Sequence, residues 1–158
     1  MQGATNAFIE TMGRHFEEEG IPRIAGRLFG LLMVNEDPCS LDEMADRLQV
    51  SKGSISTNSR LLEQWGVIER VNRPGDRRDY YRIAPDMESR MLERQMEHVA
   101  RLRERLRDGL DSLPAPPEGI AERFRSAIDL QDRTLELLGE ALGRVRQRGA
   151  GAGGRDAY

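Results

Sequence analysis

Residues 40–83 read SLDEMADRLQVSKGSISTNSRLLEQWGVIERVNRPGDRRDYYRI, and this stretch decides the fold. Ser40-Leu41-Asp42-Glu43 opens it as a capping box, in which a serine hydroxyl and a glutamate carboxylate each satisfy a backbone N–H of a helix's first turn. Met44, Ala45 and Leu48 share one face, so a short helix is predicted over Leu41 to Leu48. Gln49-Val50 make a tight connection. Ser51 caps a second helix to about Trp65, and Gly66 supplies the left-handed residue that ends helices. Val67 to Arg73 and Arg78 to Ile83, rich in β-branched and aromatic residues, are predicted as a hairpin. Pro74-Gly75 provides its turn: proline presets φ and glycine takes the position that requires φ > 0.

A short helix, a tight connection, a polar helix and a basic hairpin make a winged helix-turn-helix. In that arrangement the second helix enters the major groove with its N-terminal residues at base edges. Its other face must pack on the first helix, so Ile55, Leu62 and Trp65 are expected inward. At about 100° per residue, Gly53, Ser56, Thr57, Arg60 and Gln64 face away. Small residues allow close approach to a duplex, hydroxyls bond bases or phosphates, and arginine pairs bidentately with guanine. The candidate DNA-reading residues on this helix are therefore Ser51, Lys52, Gly53, Ser54, Ser56, Thr57 and Arg60. In the wing, Arg73, Arg77 and Arg78 are expected at phosphates or the minor groove. Asp76 and Asp79 lie beside them and can tie up one or two in weak surface ion pairs.

Outside this stretch the periodicity is helical. Phe8, Ile9, Met12 and Phe16 predict a helix from about Asn6 to Glu19, stopped by Gly20. Pro22 opens another, to about Asn35, with Ile24, Leu28, Leu31 and Leu32 inward. Gly26 and Gly30 within it cost about 1 kcal/mol each relative to alanine, which suggests close approach of a neighbouring backbone. A long helix is predicted from about Met87 to Leu113, ended by Pro114-Ala115-Pro116-Pro117, and a last one from about Glu118 to Arg148. Phe124, Ile128, Gln131, Leu135, Leu138, Leu142 and Val145 alternate steps of four and three along it, a heptad seam with one polar break. Phe8, Met12, Leu106, Leu110, Phe124, Ile128, Leu135, Leu138 and Leu142 are the candidate dimer contacts. The expected organisation is N-terminal helices over 1–35, a DNA-binding winged helix-turn-helix over 36–85, dimerisation helices over 86–148 and a disordered tail over 149–158. The fold class is mainly α, with a two-stranded wing.

Composition narrows the function. The chain has 158 residues and a net charge of −3, yet residues 51–83 hold seven basic and four acidic side chains. A basic segment in an acidic chain calls for a local acidic partner. One cysteine excludes an internal disulfide and fits a reducing compartment. There is no apolar run of membrane-spanning length and no signal-like N-terminus, so a cytoplasmic, nucleoid-associated protein is expected, with no membrane partner. No nucleophile–base set, glycine-rich phosphate loop or metal cluster is present; an enzyme is disfavoured, and no cofactor or metal is expected. Cys39 precedes a helix start, where a thiol pKa can fall, but a plain small residue is favoured. His15 and His98 have no third ligand at metal spacing.

The segments MGRHFEEEGIPRIAGRLFGLL (12–32), CSLDEMADRLQVSKGSISTNSRLLEQWGVIERV (39–71) and RPGDRRDYYRI (73–83) resemble the GbsR-like branch of the MarR family of transcriptional regulators. The resemblance spans about half the chain, Met12 to Ile83. It implies an obligate homodimer with a winged-helix reader in each subunit, binding double-stranded DNA at pseudo-palindromic operators, with terminal helices forming the dimer arm; a repressor is the expected role. A small-molecule effector is compatible with it and unidentified. The reading from another class is a winged-helix protein–protein adaptor that does not bind DNA; the basic wing and small-residue helix face weigh against it.

Overall fold

The computed structural model describes residues 2–152, with side chains described for residues 3–149. The chain divides into two compact units, the first ending at Met87 and the second beginning at Glu88.

In the first unit, helices α1 (Gln2–Glu18) and α2 (Arg23–Met33) pack on each other. Gly20 (φ 74°) ends the first, with the Ile21 N–H closing on the Phe16 carbonyl at 2.8 Å. The glycines of α2 are packing residues. A Cβ on Gly26 would collide with the Met12 carbonyl oxygen, and one on Gly30 would lie 3.1 Å from the Ile9 Cα. Helix α2 is the centre of the unit, with Ala25, Leu28, Leu31 and Leu32 buried.

The helix-turn-helix is α3 (Leu41–Leu48) and α4 (Lys52–Gln64). The Ser40–Glu43 capping box is formed: the Ser40 N–H donates to Glu43 Oε2 at 2.7 Å and the Glu43 N–H to Ser40 Oγ at 3.3 Å. These bonds, the Ser40 N–H foremost, hold the Glu43 carboxyl below the usual range. Gln49 takes a left-handed turn (φ 54°) and Ser51 caps α4. Gly66 (φ 70°) ends it, one residue beyond the Trp65 cap.

The wing is β2 (Ile68–Val71) antiparallel to β3 (Tyr80–Ile83), with Ile68 opposite Ile83 and Val71 opposite Tyr80. Its strands are shorter than the sequence predicts, because Arg73 and Arg78 leave the ladder at the tip. A third strand, β1 (Cys39–Ser40), pairs with the far edge of β3 and was not anticipated; the sheet order is β1-β3-β2. The sheet is therefore three-stranded, not two-stranded. Gly75 (φ 81°) and the Asp76 N–H to Arg73 carbonyl bond (3.1 Å) make the predicted Pro-Gly turn.

The second unit is α5 (Met87–Ser112), whose first residue closes the first unit, and α6 (Glu118–Ala152). Phe124 sits where a Cβ on Gly109 would reach it at 3.2 Å, and Asp132 receives Arg103 (3.1 Å) and Arg107 (3.3 Å) from α5. Arg146 pairs with Glu93 at 2.6 Å. Helix α6 overruns its predicted end at Arg148, and disorder from Gly149 is corrected as far as Ala152. Extending a helix already nucleated fixes only one residue per added bond. Residues 153–158, the rest of the expected tail, lie outside the described residues. No helix among the described residues is long and apolar enough to cross a membrane.

Candidate nucleic-acid interface

Helix α4 buries Ile55 and Leu62 completely and leaves Trp65 half-buried against the same core. Asn58 and Ser59 are also buried, and the Asn58 amide donates to the Ser54 carbonyl at 2.8 Å. The opposite face presents Lys52, Gly53, Thr57, Arg60 and Gln64 to solvent, with Ser54 and Ser56 half-exposed. Ser51 is engaged locally, its hydroxyl accepting the Ser54 N–H at 3.2 Å. Gly53 differs from the packing glycines of α2. A Cβ there would meet nothing closer than Ser51 Oγ at 3.9 Å, so no contact among the described residues explains a glycine on that face.

Most cations around α4 and the wing already have partners. Lys52, the chain's single lysine, reaches from the first turn of α4 to Asp42 in the first turn of α3, with Nζ 2.5 Å from Oδ1. Asp76 receives Arg78 from its backbone N–H (2.9 Å), Nε (3.1 and 3.0 Å) and Nη2 (2.6 Å), and the Tyr80 hydroxyl at 2.7 Å. This clamp, led by the Arg78 side chain, drives the Asp76 carboxyl far below its usual range and raises Arg78 and the Tyr80 phenol. Arg73 donates to the Pro38 carbonyl at 3.0 Å, and its guanidinium lies 4.2 Å over the Tyr80 ring. Arg70 pairs with Asp79 at 3.3 Å and Arg82 with Glu69 at 2.7 Å across the strands. Arg60 and Arg77 are exposed and make no ion pair among the described residues. Arg77, Arg78 and Asp79 face Ser40, Leu41 and Asp42 across a cleft of about 250 Å³.

The structure thus brings Lys52, Gly53, Thr57 and Arg60 to one solvent face and Arg73, Arg77 and Arg78 to the wing tip. Reasoning from sequence missed Asp42 and Tyr80 as partners of the cations. Asp42 and Lys52 are ten positions apart, and only the turn at Gln49 brings them together, so local spacing carries no signal of their pairing. Cys39 is 4% exposed, and burial pushes its thiol upward, outweighing Arg47. Among the described residues, no group of three or more His, Cys, Asp or Glu side chains could hold a metal ion.

Of the candidate dimer contacts, Met12 packs against Gly30 of α2 and Leu142 is 8% exposed within the second unit. Phe8, Leu106, Leu110, Phe124, Ile128, Leu135 and Leu138 are half-buried. Leu130 and Leu137, which share another face of α6, are 61% and 66% exposed.

Residues 19–79 match the profile of the MarR family. The HTH-type transcriptional regulator MmpR5 of Mycobacterium tuberculosis is 38% identical over 142 residues, which cover 89% of this chain and 86% of that protein. The HTH-type transcriptional repressor GbsR of Bacillus subtilis is 31% identical over 78 residues, 49% of this chain and 43% of that protein. A solved crystal structure of a transcriptional regulator matches with a TM-score of 0.81 and 36% identity, over 91% of this chain and 99% of that one. These similarities and the winged helix agree, and the chain belongs to the MarR family of DNA-binding transcriptional regulators, which are not enzymes.

Proposed function

We infer that the chain acts as a homodimeric repressor on pseudo-palindromic operators at the nucleoid, with α4 reading the major groove and the wing lying on the flanking backbone or minor groove. The observation that carries this reading is the solvent face of α4. It has small and hydroxyl-bearing residues, one arginine without an ion pair, and a glycine that no internal contact requires. Gly53 is the second residue of α4, in its first turn, and the lack of a Cβ there lets the start of the helix come close to a groove wall. Thr57 and Arg60 then read bases, while Lys52, Arg73, Arg77 and Arg78 meet phosphates.

A dimer fits the second unit, where Leu130 and Leu137 form an apolar stripe that a second copy would cover alongside the heptad seam. Two-fold symmetry then sets half-sites about one helical turn apart. The partial match to GbsR and the resemblance over 12–83 support placement in the GbsR-like branch. That relative is named a transcriptional repressor, which supports repression, and a small-molecule effector would act by binding one spacing of the two reading helices better than another.

Binding of purified protein to operator and random DNA tests the reading. Arg60→Ala and Thr57→Ala are expected to lower operator affinity more than random-DNA affinity, by roughly 1–3 kcal/mol for a bidentate base contact. Equal losses on both DNAs would show that these side chains do not read bases. Eight neutralised phosphates per dimer set about −7 as the steepest slope of log K against log salt, reached where no internal carboxylate competes for the cations.

A further inference from the structure

We propose that Asp42 is an affinity-setting residue: in the free protein its carboxylate occupies on Lys52 the place a DNA phosphate takes on binding. This rests on the proposed DNA-reading role of α4 and adds to it an internal competitor.

The geometry is specific. Lys52 stands at the first position of α4, 70% exposed in its side chain, and Asp42 stands in the first turn of α3, 47% exposed. Their 2.5 Å ion pair joins the two helices at the ends that would approach a duplex. Asp42 also lines the cleft that Arg77 and Arg78 face from the wing. A phosphate brought to Lys52 must displace one carboxylate oxygen and then lie close to the anion it displaced. Each such exchange returns a cation to Asp42 while a counterion leaves the DNA, so the net release is smaller than the number of phosphate contacts suggests. Lys52 suits such an exchange: its ammonium is a compact charge on a flexible stem, with none of the planar fork that fixes arginine on a carboxylate. An exposed ion pair is weak enough to be broken by a polyanion, so Asp42 moderates binding without preventing it.

The test is a double-mutant cycle with Asp42→Asn and Lys52→Gln in the full chain, titrating operator and random duplex across a salt series. Asn preserves the size of Asp42, and thermal melting of each variant checks that the fold is intact. Asp42→Asn is expected to tighten binding of a dimer to both DNAs about two- to thirtyfold, the range that two exposed ion pairs span. It should also steepen the salt slope by about 2 for a dimer, one phosphate per copy. In the Lys52→Gln background the gain should shrink to what plain repulsion between Asp42 and the phosphate leaves. An unchanged or weaker Asp42→Asn affinity overturns the proposal, as does an equal gain without Lys52, which would make Asp42 a general repulsive charge. If the wild-type protein binds neither DNA at low salt, the proposed function itself fails; if it binds and the cycle shows no coupling, only the role of Asp42 does.

Discussion

The two units of the chain solve the problem of burial differently. In residues 1–87, Leu28, Leu31, Met44, Ile55, Leu62 and Ile68 are all fully enclosed, and two helices, a helix-turn-helix and a sheet converge on them. Among the described residues of the second unit only Val99, Ala121 and Leu142 are buried, while Leu130 and Leu137 stand in solvent. Fully burying a leucine is worth about 1.5–3 kcal/mol. The first unit therefore has a core of its own, whereas the second leaves large apolar side chains in solvent. The contrast teaches that one chain can hold a unit closed on its own core beside a unit whose apolar side chains are only partly enclosed.

The sharpest break of this comparison sets Leu62→Ala against Leu137→Ala. The first removes a fully buried side chain and should cost about 2–5 kcal/mol, seen in urea unfolding followed by the single Trp65 against the same core. The second should cost less than about 0.5 kcal/mol in dilute solution. A large, concentration-independent loss for Leu137→Ala would mean that the second unit has a core not visible in its exposures.

Next in size is the double substitution Leu130→Glu/Leu137→Glu. Sedimentation should show a shift toward single chains, with operator affinity falling at least about tenfold as the second reading head is lost. The Trp65 signal should keep its melting point. Retained assembly would place the partner surface elsewhere on the second unit.

The sequence was most legible where one local chemical pattern sufficed. The Ser40–Glu43 box, the Ser51 cap, the Pro74-Gly75 turn and the close approach at Gly26 all follow from residue type and spacing, and each is formed. Partners across the fold were less legible. Strand β1 has two residues, too few to show alternation, and exists because β3 offers an edge. The heptad seam gave a face of α6 without saying which helix meets it, and Leu142 is buried within its own unit. Leu130 and Leu137 escaped notice because Ala127, Thr134 and Ala141 dilute their stripe. At the wing, the arginines and their acidic neighbours could be read from residue type, but not the clamp that joins Arg78 and Tyr80 to Asp76.

Cys39 is a further test, since a helix start should lower its thiol pKa and burial raises it. With the folded value raised, the protonated thiol favours the fold. That contribution is present below the unfolded pKa of about 8.5 and is lost as pH rises through the folded one. Native protein should thus react slowly with Ellman's reagent at neutral pH, and Cys39→Ala should flatten the alkaline fall in stability. Fast reaction of the native thiol would show that the helix start governs it.

The smallest effect compares two non-glycine residues in left-handed backbone, one in each unit: Gln49 (φ 54°) between α3 and α4, and Ala115 (φ 48°) between α5 and α6. A left-handed residue with a Cβ costs about 1–2 kcal/mol, and glycine relieves this while giving back about 0.5–1 kcal/mol of unfolded-state entropy. Gln49 is partly compensated, because its amide donates to the Asp46 carbonyl at 2.6 Å; Ala115 has no polar side chain to do the same. Ala115→Gly should therefore raise stability by up to about 1 kcal/mol, and Gln49→Gly should leave it nearly unchanged. Calorimetry of both variants decides. A gain at Gln49 equal to that at Ala115 would mean that the amide bond contributes nothing to holding the turn of the helix-turn-helix.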